Sequence, residues 1–356
     1  MVTDQVRVGI GMLGTGFIGQ FHTQGLRHVS AARSVACYGR DAARREAFAT
    51  RNGYARTYDS IDAACADPGV DLVIVSLPNE LHLEAVQAAA RHGKGVACTK
   101  PLGRTGTEAA AALEAVTRAG VWHGYLENVV FASELVRMHE MVEAGGIGRP
   151  VSFRAREAHS GPHAAHFWDA TRAGGGALLD MASHGVEAAR YLFGKETPIR
   201  DAFAWGDTLV HQQRTTAEDN AVMLMRFGDG RVATMDVSWS SKGGLEGRFE
   251  LSGTGGRIIA DMASTVIRAF IEQPAGYLAE KADADTGWVF PVPDETYAHG
   301  HDAMMGHMLE AFRTGTQPRE TFHDGLAVNQ VLDAAYRSMD SGHWEPIDLD
   351  PAVVGA

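Results

Sequence analysis

Asp180 and His184 lie four positions apart in Gly176-Ala177-Leu178-Leu179-Asp180-Met181-Ala182-Ser183-His184. On a helix that spacing puts a carboxylate and an imidazole on one face, one turn apart. Lys100, in Thr99-Lys100-Pro101-Leu102, is a cation followed at once by a proline, which fixes the chain beside it and favours a positioned side chain over a solvated one. An imidazole is suited to taking or giving a proton near neutral pH. An ammonium hydrogen-bonds a hydroxyl or carbonyl oxygen, and a carboxylate accepts from a hydroxyl. Such groups serve the oxidation of a secondary alcohol, in which a base takes the hydroxyl proton while hydride leaves the carbon. The bland alternatives are that Asp180 and His184 only cap and bridge helices, and that Lys100 is a surface cation.

A hydride needs an acceptor, and Gly14-Thr15-Gly16-Phe17-Ile18-Gly19 is a G-x-G-x-x-G that follows an apolar strand pattern and opens a helical one. In that setting Gly14 permits a tight turn, Gly16 lets the backbone approach a pyrophosphate, and Gly19 lets helix and strand pack closely. The helix start adds N–H groups and positive potential, so Thr15, Phe17 and Ile18 join the three glycines as cofactor-binding candidates. A carboxylate for the adenine ribose is expected about 20 residues further on. At that point stands Gly39, in Cys37-Tyr38-Gly39-Arg40-Asp41. With no carboxylate to repel a 2′-phosphate and Arg40 able to pair with one, the cofactor reads as NAD(P) with a lean to NADP. Asp41 keeps NAD open through a shifted turn.

A third cluster is His159-Ser160-Gly161-Pro162-His163-Ala164-Ala165-His166-Phe167-Trp168, three histidines within eight positions. With Asp180 or His184 these imidazoles could ligate zinc, but the spacing matches no compact zinc pattern. A substrate loop is the preferred reading and no metal is expected, since His159, His163, His166 and Trp168 suit a ring with polar edges and an apolar face. His301 is a weaker candidate for the same pocket.

The positioning elements follow from periodicity. Up to about residue 126, short apolar runs alternate with helical segments: strands at Val6–Met12, Ser34–Tyr38, Val70–Ser76, Gly95–Thr99 and Val121–Tyr125, and helices at Gly19–His28, Ala42–Asn52, Ile61–Ala66, Leu81–His92 and Thr107–Ala119. That is a doubly wound parallel sheet, with Lys100 at the carboxyl end of a strand, the edge where such sheets bind ligands. Beyond about residue 150 strands follow strands: Val151–Ala158, Ala221–Phe227 and Val232–Trp239 around Gly228-Asp229-Gly230, then Phe249–Ser252, Arg257–Asp261 and Val266–Glu272. Helices at Leu178–Phe193, Ala303–Thr314 and Gly325–Ser341 accompany them. The fold class is therefore α/β plus α+β, with a Rossmann domain over residues 1–126 and a substrate and oligomerisation domain with an open, mostly antiparallel sheet over 127–356. The closing helices are free to return to the first domain. On the Leu178–Phe193 helix, Leu179, Val186, Ala189 and Phe193 are expected to face away from Asp180 and His184.

The chain has 356 residues, with 32 Lys+Arg against 44 Asp+Glu and a net charge of −12, which argues against nucleic-acid partners. Cys37, Cys65 and Cys98 have no paired spacing and fit a reducing compartment. No apolar stretch approaches the length of about 18 residues that a membrane helix needs. The amino terminus lacks a basic-then-apolar pattern, so a cytoplasmic location is expected. Several of the 41 glycines fall at the phosphate loop, before the Asp180–His184 segment and at the hairpin turns, and of the 16 histidines three fall in the histidine cluster and one at His184.

Beyond the glycine loop, three ordered motifs resemble those of the Gfo/Idh/MocA family, named for glucose-fructose oxidoreductase, inositol dehydrogenase and a rhizopine-catabolism protein. Leu77-Pro78-Asn79-Glu80-Leu81-His82 is similar to its T-P-N-x-x-H segment, Thr99-Lys100-Pro101-Leu102 to its E-K-P-L, and Gly174 to His184 to its G-G-G-x-L-x-D-x-G-x-H. The resemblance spans nearly the whole chain. It implies cofactor contacts by Pro78, Asn79, His82 and Lys100, and a sugar, cyclitol or glycoside as substrate. Within it His184 is the general acid/base, Lys100 the group that polarises and orients the substrate oxygen, and Asp180 a hydroxyl acceptor. Two departures stand out. Thr99 replaces the usual glutamate, and Tyr125-Leu126-Glu127-Asn128 replaces a Y-N-x-R-like stretch, which makes Tyr125 and Glu127 substrate-binding candidates in an uncommon version of the pocket. Self-association through the open sheet, as dimer or tetramer, is implied as well. Two other functions stay open: glycoside cleavage assisted by transient oxidation with tightly bound NAD, and a non-catalytic NAD(P)-binding sensor.

Overall fold

The computed structural model describes residues 7–162, 164–262, 269–271, 286–289 and 295–347. It divides into two compact units: Met1–Glu127 with His301–Leu326, and Asn128–Gly300 with Ala327–Ala356. In the first, β1 (Val8–Leu13), α1 (Phe17–Gly25), β2 (Ala32–Tyr38), α2 (Ala42–Asn52), β3 (Arg56–Tyr58), α3 (Ile61–Ala66), β4 (Leu72–Val75), α4 (His82–Arg91), β5 (Gly95–Thr99), α5 (Gly106–Ala119) and β6 (His123–Leu126) alternate. The six strands pair in parallel in the order β3-β2-β1-β4-β5-β6. Strand order reverses between β1 and β4, the switch point at whose carboxyl edge such sheets open a ligand crevice. Strands β4 and β5 are buried along their whole length, as helices on both faces of a parallel sheet require.

Helix ends are set locally. Asp41, Ser60 and Thr105 cap α2, α3 and α5 through side-chain oxygens that accept from Arg44, Ala63 and Glu108 N–H groups. The glycine loop itself forms the first turn of α1, so that helix starts at Phe17 rather than Gly19. The late helix His301–Thr314 also belongs to this unit. It approaches α1 at Gly25, where a Cβ would lie 2.9 Å from the His301 carbonyl oxygen.

In the second unit, α6 (Ser133–Glu143) precedes β7 (Pro150–Ala158), the short α7 (Ala170–Ala173) and α8 (Ser183–Phe193). Then come β8 (Ile199–Asp207), β9 (Asn220–Phe227), β10 (Val232–Ser238), β11 (Glu246–Gly253), β12 (Gly256–Asp261), the pair β13 (Ala269–Ile271) and β14 (Gly287–Val289), and the two-residue β15 (Glu345–Pro346). Seven strands form one sheet in the order β12-β11-β7-β10-β9-β8-β15, and only its β7–β10 pair is parallel. The inner face carries Phe153, Ala204, Met223, Met225, Met235, Phe249 and Leu251, which form one core with the residues of α8. At Gly185 a Cβ would lie 2.2 Å from Met235 Sδ and 3.2 Å from Ala155 Cβ, so this glycine lets the helix lie directly on the sheet.

The expected helix Leu178–Phe193 differs from expectation in two ways. Its first five residues, Leu178–Ala182, are a π-helical turn ahead of α8. The i→i+5 bonding of such a turn alters the regular α-helical step between Asp180 and His184. Nor is the helix two-faced: every residue from Ala177 to Arg190 is buried, because other elements as well as the sheet cover it. Of the expected strand Val266–Glu272, Ala269–Ile271 is found and the flanking residues lie outside the described ones. Among the described residues no helix is long and apolar enough to cross a membrane.

Candidate functional site

In the first unit the glycine loop leads from β1 to α1. Gly14 has φ +114°, and a Cβ there would lie 2.1 Å from the Ser76 carbonyl oxygen at the end of β4. A Cβ on Gly19 would lie 2.2 Å from the Gly14 carbonyl oxygen, so any side chain would push helix from strand. Gly16 is the helix N-cap, and the nearest atom to a Cβ there is Arg44 Nη2 at 3.9 Å. The loop thus has a forced turn, a close helix–strand contact and, at Gly16, an approach with only a guanidinium nearby, which fits a dinucleotide pyrophosphate. Thr15, Phe17 and Ile18 are half-buried, with the Phe17 ring 4.5 Å from that of Phe21. Behind the loop, His22 Nδ1 lies 2.8 Å from Ser76 Oγ, and burial pushes its pKa down to about 3. His22 is therefore a neutral brace at physiological pH.

Gly39 is a glycine for a packing reason, since a Cβ would lie 2.7 Å from Thr15 Oγ1. Arg40 is exposed beside it. Asp41, kept above as a possible ribose ligand, is the N-cap of α2, and its Oδ1 accepts from Arg44 N–H at 2.7 Å. Two residues missed at first stand here: Arg44 Nε donates to Thr15 O at 3.2 Å, and Arg45 Nη1 donates to Gly39 O at 2.7 Å. A signal for them existed. Two guanidiniums in the first turn of α2 sit at the end of a helix dipole that disfavours cations, an arrangement that an anion relieves.

After β4, Pro78 leads into the short turn Asn79–Leu81, with Asn79 buried. His82 is fully buried, with Nδ1 2.8 Å from Pro101 O and Nε2 2.9 Å from Leu77 O. Burial pulls this imidazole below its ordinary pKa, against the two carbonyl oxygens that its ring nitrogens face. Rather than offering a ring nitrogen to the cofactor, His82 ties the loop after β4 to the segment after β5. That segment begins with half-buried Lys100, directly beyond β5, and the Lys100–Pro101 peptide is cis. Arg104 and Glu108 join where α5 begins, with Arg104 N–H donating to Glu108 Oε2 at 2.9 Å. Tyr125 and Glu127, at the end of β6, are both wholly buried. Tyr125 packs where a Cβ on Gly325 would lie 3.0 Å from its ring.

In the second unit Asp180 and His184 are 8% and 7% exposed, each presenting only an edge. The Asp180 carboxylate accepts from the Trp239 indole Nε1 at 3.1 Å, a partner not foreseen. Trp239 is completely buried at the end of β10, its ring 5.6 Å from that of Trp168 and 6.5 Å from that of Phe167. Trp168 also meets the His211 ring edge-on at 4.9 Å and carries the Arg214 guanidinium 3.7 Å over its face. One face of Trp168 is therefore taken by a cation and is not free to stack on a sugar.

The described members of the histidine cluster make separate contacts. His159 is buried, and its Nδ1 accepts from Gly161 N–H at 3.1 Å. The His166 ring lies 4.3 Å from that of Phe167 and tilted to it, and His163 lies outside the described residues. His301 belongs to the first unit, where its ring meets Phe21 at 5.2 Å.

Known proteins share this arrangement along nearly the full chain. Residues 8–125 match the family described as "Oxidoreductase family, NAD-binding Rossmann fold", and residues 135–259 match "GFO/IDH/MocA C-terminal domain". A myo-inositol 2-dehydrogenase of Thermotoga maritima is 32% identical over 335 residues, covering 93% of this chain and 96% of that protein. A 1,5-anhydro-D-fructose reductase of Ensifer adhaerens is 29% identical over 326 residues, covering 89% and 91%. The crystal structure of GenD2 from gentamicin A biosynthesis, in complex with NAD, superposes with a TM-score of 0.89 at 30% identity, covering 96% of this chain and 97% of GenD2. Glycine loop, lysine after β5 and the Asp180–His184 segment thus occur together in a chain matched to both family domains, and the protein belongs to the Gfo/Idh/MocA family of oxidoreductases.

Proposed function

We propose that this oxidoreductase transfers a hydride between a secondary alcohol carbon of a sugar, cyclitol or glycoside and a nicotinamide cofactor, with NADP preferred. The observation that carries the reading is the glycine cradle at the strand switch point, where side chains at Gly14 and Gly19 would collide with Ser76 and Gly14 carbonyls. When bound, the nicotinamide accepts or returns the hydride at its C4 carbon. His184 takes the hydroxyl proton of the substrate in oxidation and returns it in reduction. Lys100 donates a hydrogen bond to the substrate oxygen, and Asp180, held by Trp239, accepts from a substrate hydroxyl. Of the histidine loop, half-buried His166 and the part of Trp168 that Arg214 does not cover complete the substrate contacts in this reading. The names of the two curated relatives, acting on inositol and on an anhydro sugar, support the substrate class.

The lean to NADP rests on Arg40 and, beside it, Arg44, with Asp41 engaged in capping α2. The test is a panel of sugars and cyclitols followed by reduced-nicotinamide absorbance with both cofactors. The expected result is turnover of at least one cyclitol or sugar, with a lower KM for NADP than for NAD. Arg40→Ala is expected to raise the NADP KM by about 10–100-fold, the worth of a charged hydrogen bond. A strong NAD preference in the unaltered enzyme refutes the part given to Arg40.

Self-association belongs to the same reading. Phe203, Trp205, Val222 and Leu224 lie on the outer face of β8 and β9, with Trp205 50% and Leu224 37% exposed. An apolar strip on one face of a sheet is a surface that a second copy would cover. Sedimentation is expected to show an oligomer that Trp205→Glu dissociates, and a wild-type monomer would sink the idea. A cytoplasmic location is supported by three buried free thiols, Cys37, Cys65 and Cys98.

A further inference from the structure

Glu218 and Asp219 have no part in the roles assigned above. Glu218, 6% exposed, lies between β8 and β9. Its Oε1 accepts from the backbone N–H groups of Gly176 at 3.1 Å and Leu178 at 2.9 Å, and from the Tyr336 hydroxyl at 2.9 Å. Its carbonyl oxygen accepts from Ala177 N–H at 2.9 Å. The Tyr336 oxygen in turn accepts from Gly176 N–H at 3.2 Å and Leu179 N–H at 3.3 Å. Four consecutive N–H groups, Gly176 to Leu179, thus end on two side chains and one carbonyl. These are the donors that the start of a helix leaves without partners inside it. The glycines fit the same arrangement, because a Cβ on Gly175 would lie 2.0 Å from the Tyr336 hydroxyl and one on Gly176 would lie 2.0 Å from the Glu218 carbonyl oxygen.

Asp219 works on the other side. Its carbonyl oxygen accepts from Trp239 N–H at 2.7 Å. Its carboxylate accepts from the N–H groups of Leu209, Val210 and His211 at 2.8, 2.8 and 2.6 Å. The Trp239 indole is the group that holds Asp180. One dipeptide therefore fixes Asp180 twice, through the start of its own helix and through the tryptophan bonded to its carboxylate. Nothing in the Gly174–His184 motif reveals this, since the partners are about 40 and 160 positions away in the chain.

We propose that Glu218, acting with Tyr336, is a positioning residue of the reaction: it sets where the segment bearing Asp180 and His184 begins, and hence where those two groups stand. This rests on the roles given to Asp180 and His184 above. What matters is the acceptor oxygen of Glu218 rather than its charge, because all the bonds it receives come from neutral donors.

The test uses the full-length protein and three variants. Glu218→Ala removes the acceptor, Tyr336→Phe removes one hydroxyl, and Glu218→Gln keeps an oxygen at the same reach. Glu218→Ala is expected to lower kcat about 100-fold and Tyr336→Phe about tenfold, the scale of a misplaced reacting group, with cofactor affinity unchanged. Glu218→Gln is expected to stay within about threefold of wild type, since its amide oxygen accepts the same N–H groups. A readout independent of turnover is the indole N–H resonance of Trp239, assigned with Trp239→Phe. It is expected to move upfield in Glu218→Ala and Tyr336→Phe as the bond to Asp180 lengthens. Should Glu218→Ala not fold, the two conservative variants carry the test. Wild-type kcat per folded molecule in Tyr336→Phe, an unmoved Trp239 resonance, or a Glu218→Gln variant as impaired as Glu218→Ala would each overturn the proposal. If the wild-type enzyme oxidises no polyol, the functional reading fails, and the Trp239 resonance still decides this one.

Discussion

Replacing His184 by alanine is expected to lower kcat by about 10²–10⁴-fold, the usual contribution of a positioned acid/base, while leaving cofactor affinity at its wild-type value. The separation of the two effects is the point of the experiment. His184 lies in the second unit, on α8, whereas the glycine cradle belongs to the first. Alanine is the best helix former, so the change does not oppose the helix itself, and Gly185 still lets the helix lie on Met235 and Ala155. Added imidazole is expected to restore part of the turnover in the alanine variant, which loss of fold would not permit. Turnover close to wild type in His184→Ala would remove this residue from the chemistry.

The second large effect is expected at Lys100. Methionine keeps the length of the side chain and removes its charge and donors, and kcat/KM is expected to fall about 10²–10³-fold, as when one donor to a reacting oxygen is lost. Cofactor binding is expected to persist, because the cradle is built from β1, α1 and the end of β4. Lys100→Arg is expected to recover little. The segment is held on both sides, by His82 facing Pro101 and by Arg104 on Glu108, and a planar guanidinium does not reproduce the reach of an ammonium. A Lys100→Met variant that turns over normally would leave Lys100 a cation of the loop and nothing more.

Local features made much of the first unit legible in the sequence. Helices Ala42–Asn52 and Ile61–Ala66 and strand Gly95–Thr99 have the bounds expected of them, since Asp41 and Ser60 mark helix starts and Gly53 a left-handed stop. Strand β8 escaped notice because its inward residues include Ala202 and Ala204, which make a faint apolar alternation. Helix α6 was missed too, as it buries only Leu135 and Met138. The π-turn at Leu178–Ala182 has no side-chain signature, being a change in which carbonyl each N–H reaches.

The site shows the same divide. Motif residues could be named from spacing, but the groups that hold them could not. Trp239 is 59 positions from Asp180, and Glu218 is 42 from Gly176. Such pairings come from the second sheet bringing distant strands side by side. The histidine cluster is the converse case: neighbours in sequence, of which His159 turns to Gly161 and His166 to Phe167.

The order in which the chain visits its two units has a consequence for synthesis. Helix His301–Thr314 belongs to the unit that otherwise ends at Glu127, and 301 − 127 = 174 positions separate the two. At about 5–20 residues per second, a ribosome takes roughly 10–35 s to cover that distance. During that interval α1 has emerged without the helix that covers Gly25 and Phe21. The nascent cofactor-binding unit must therefore wait, with an apolar flank open to water, for a helix made after most of the other unit.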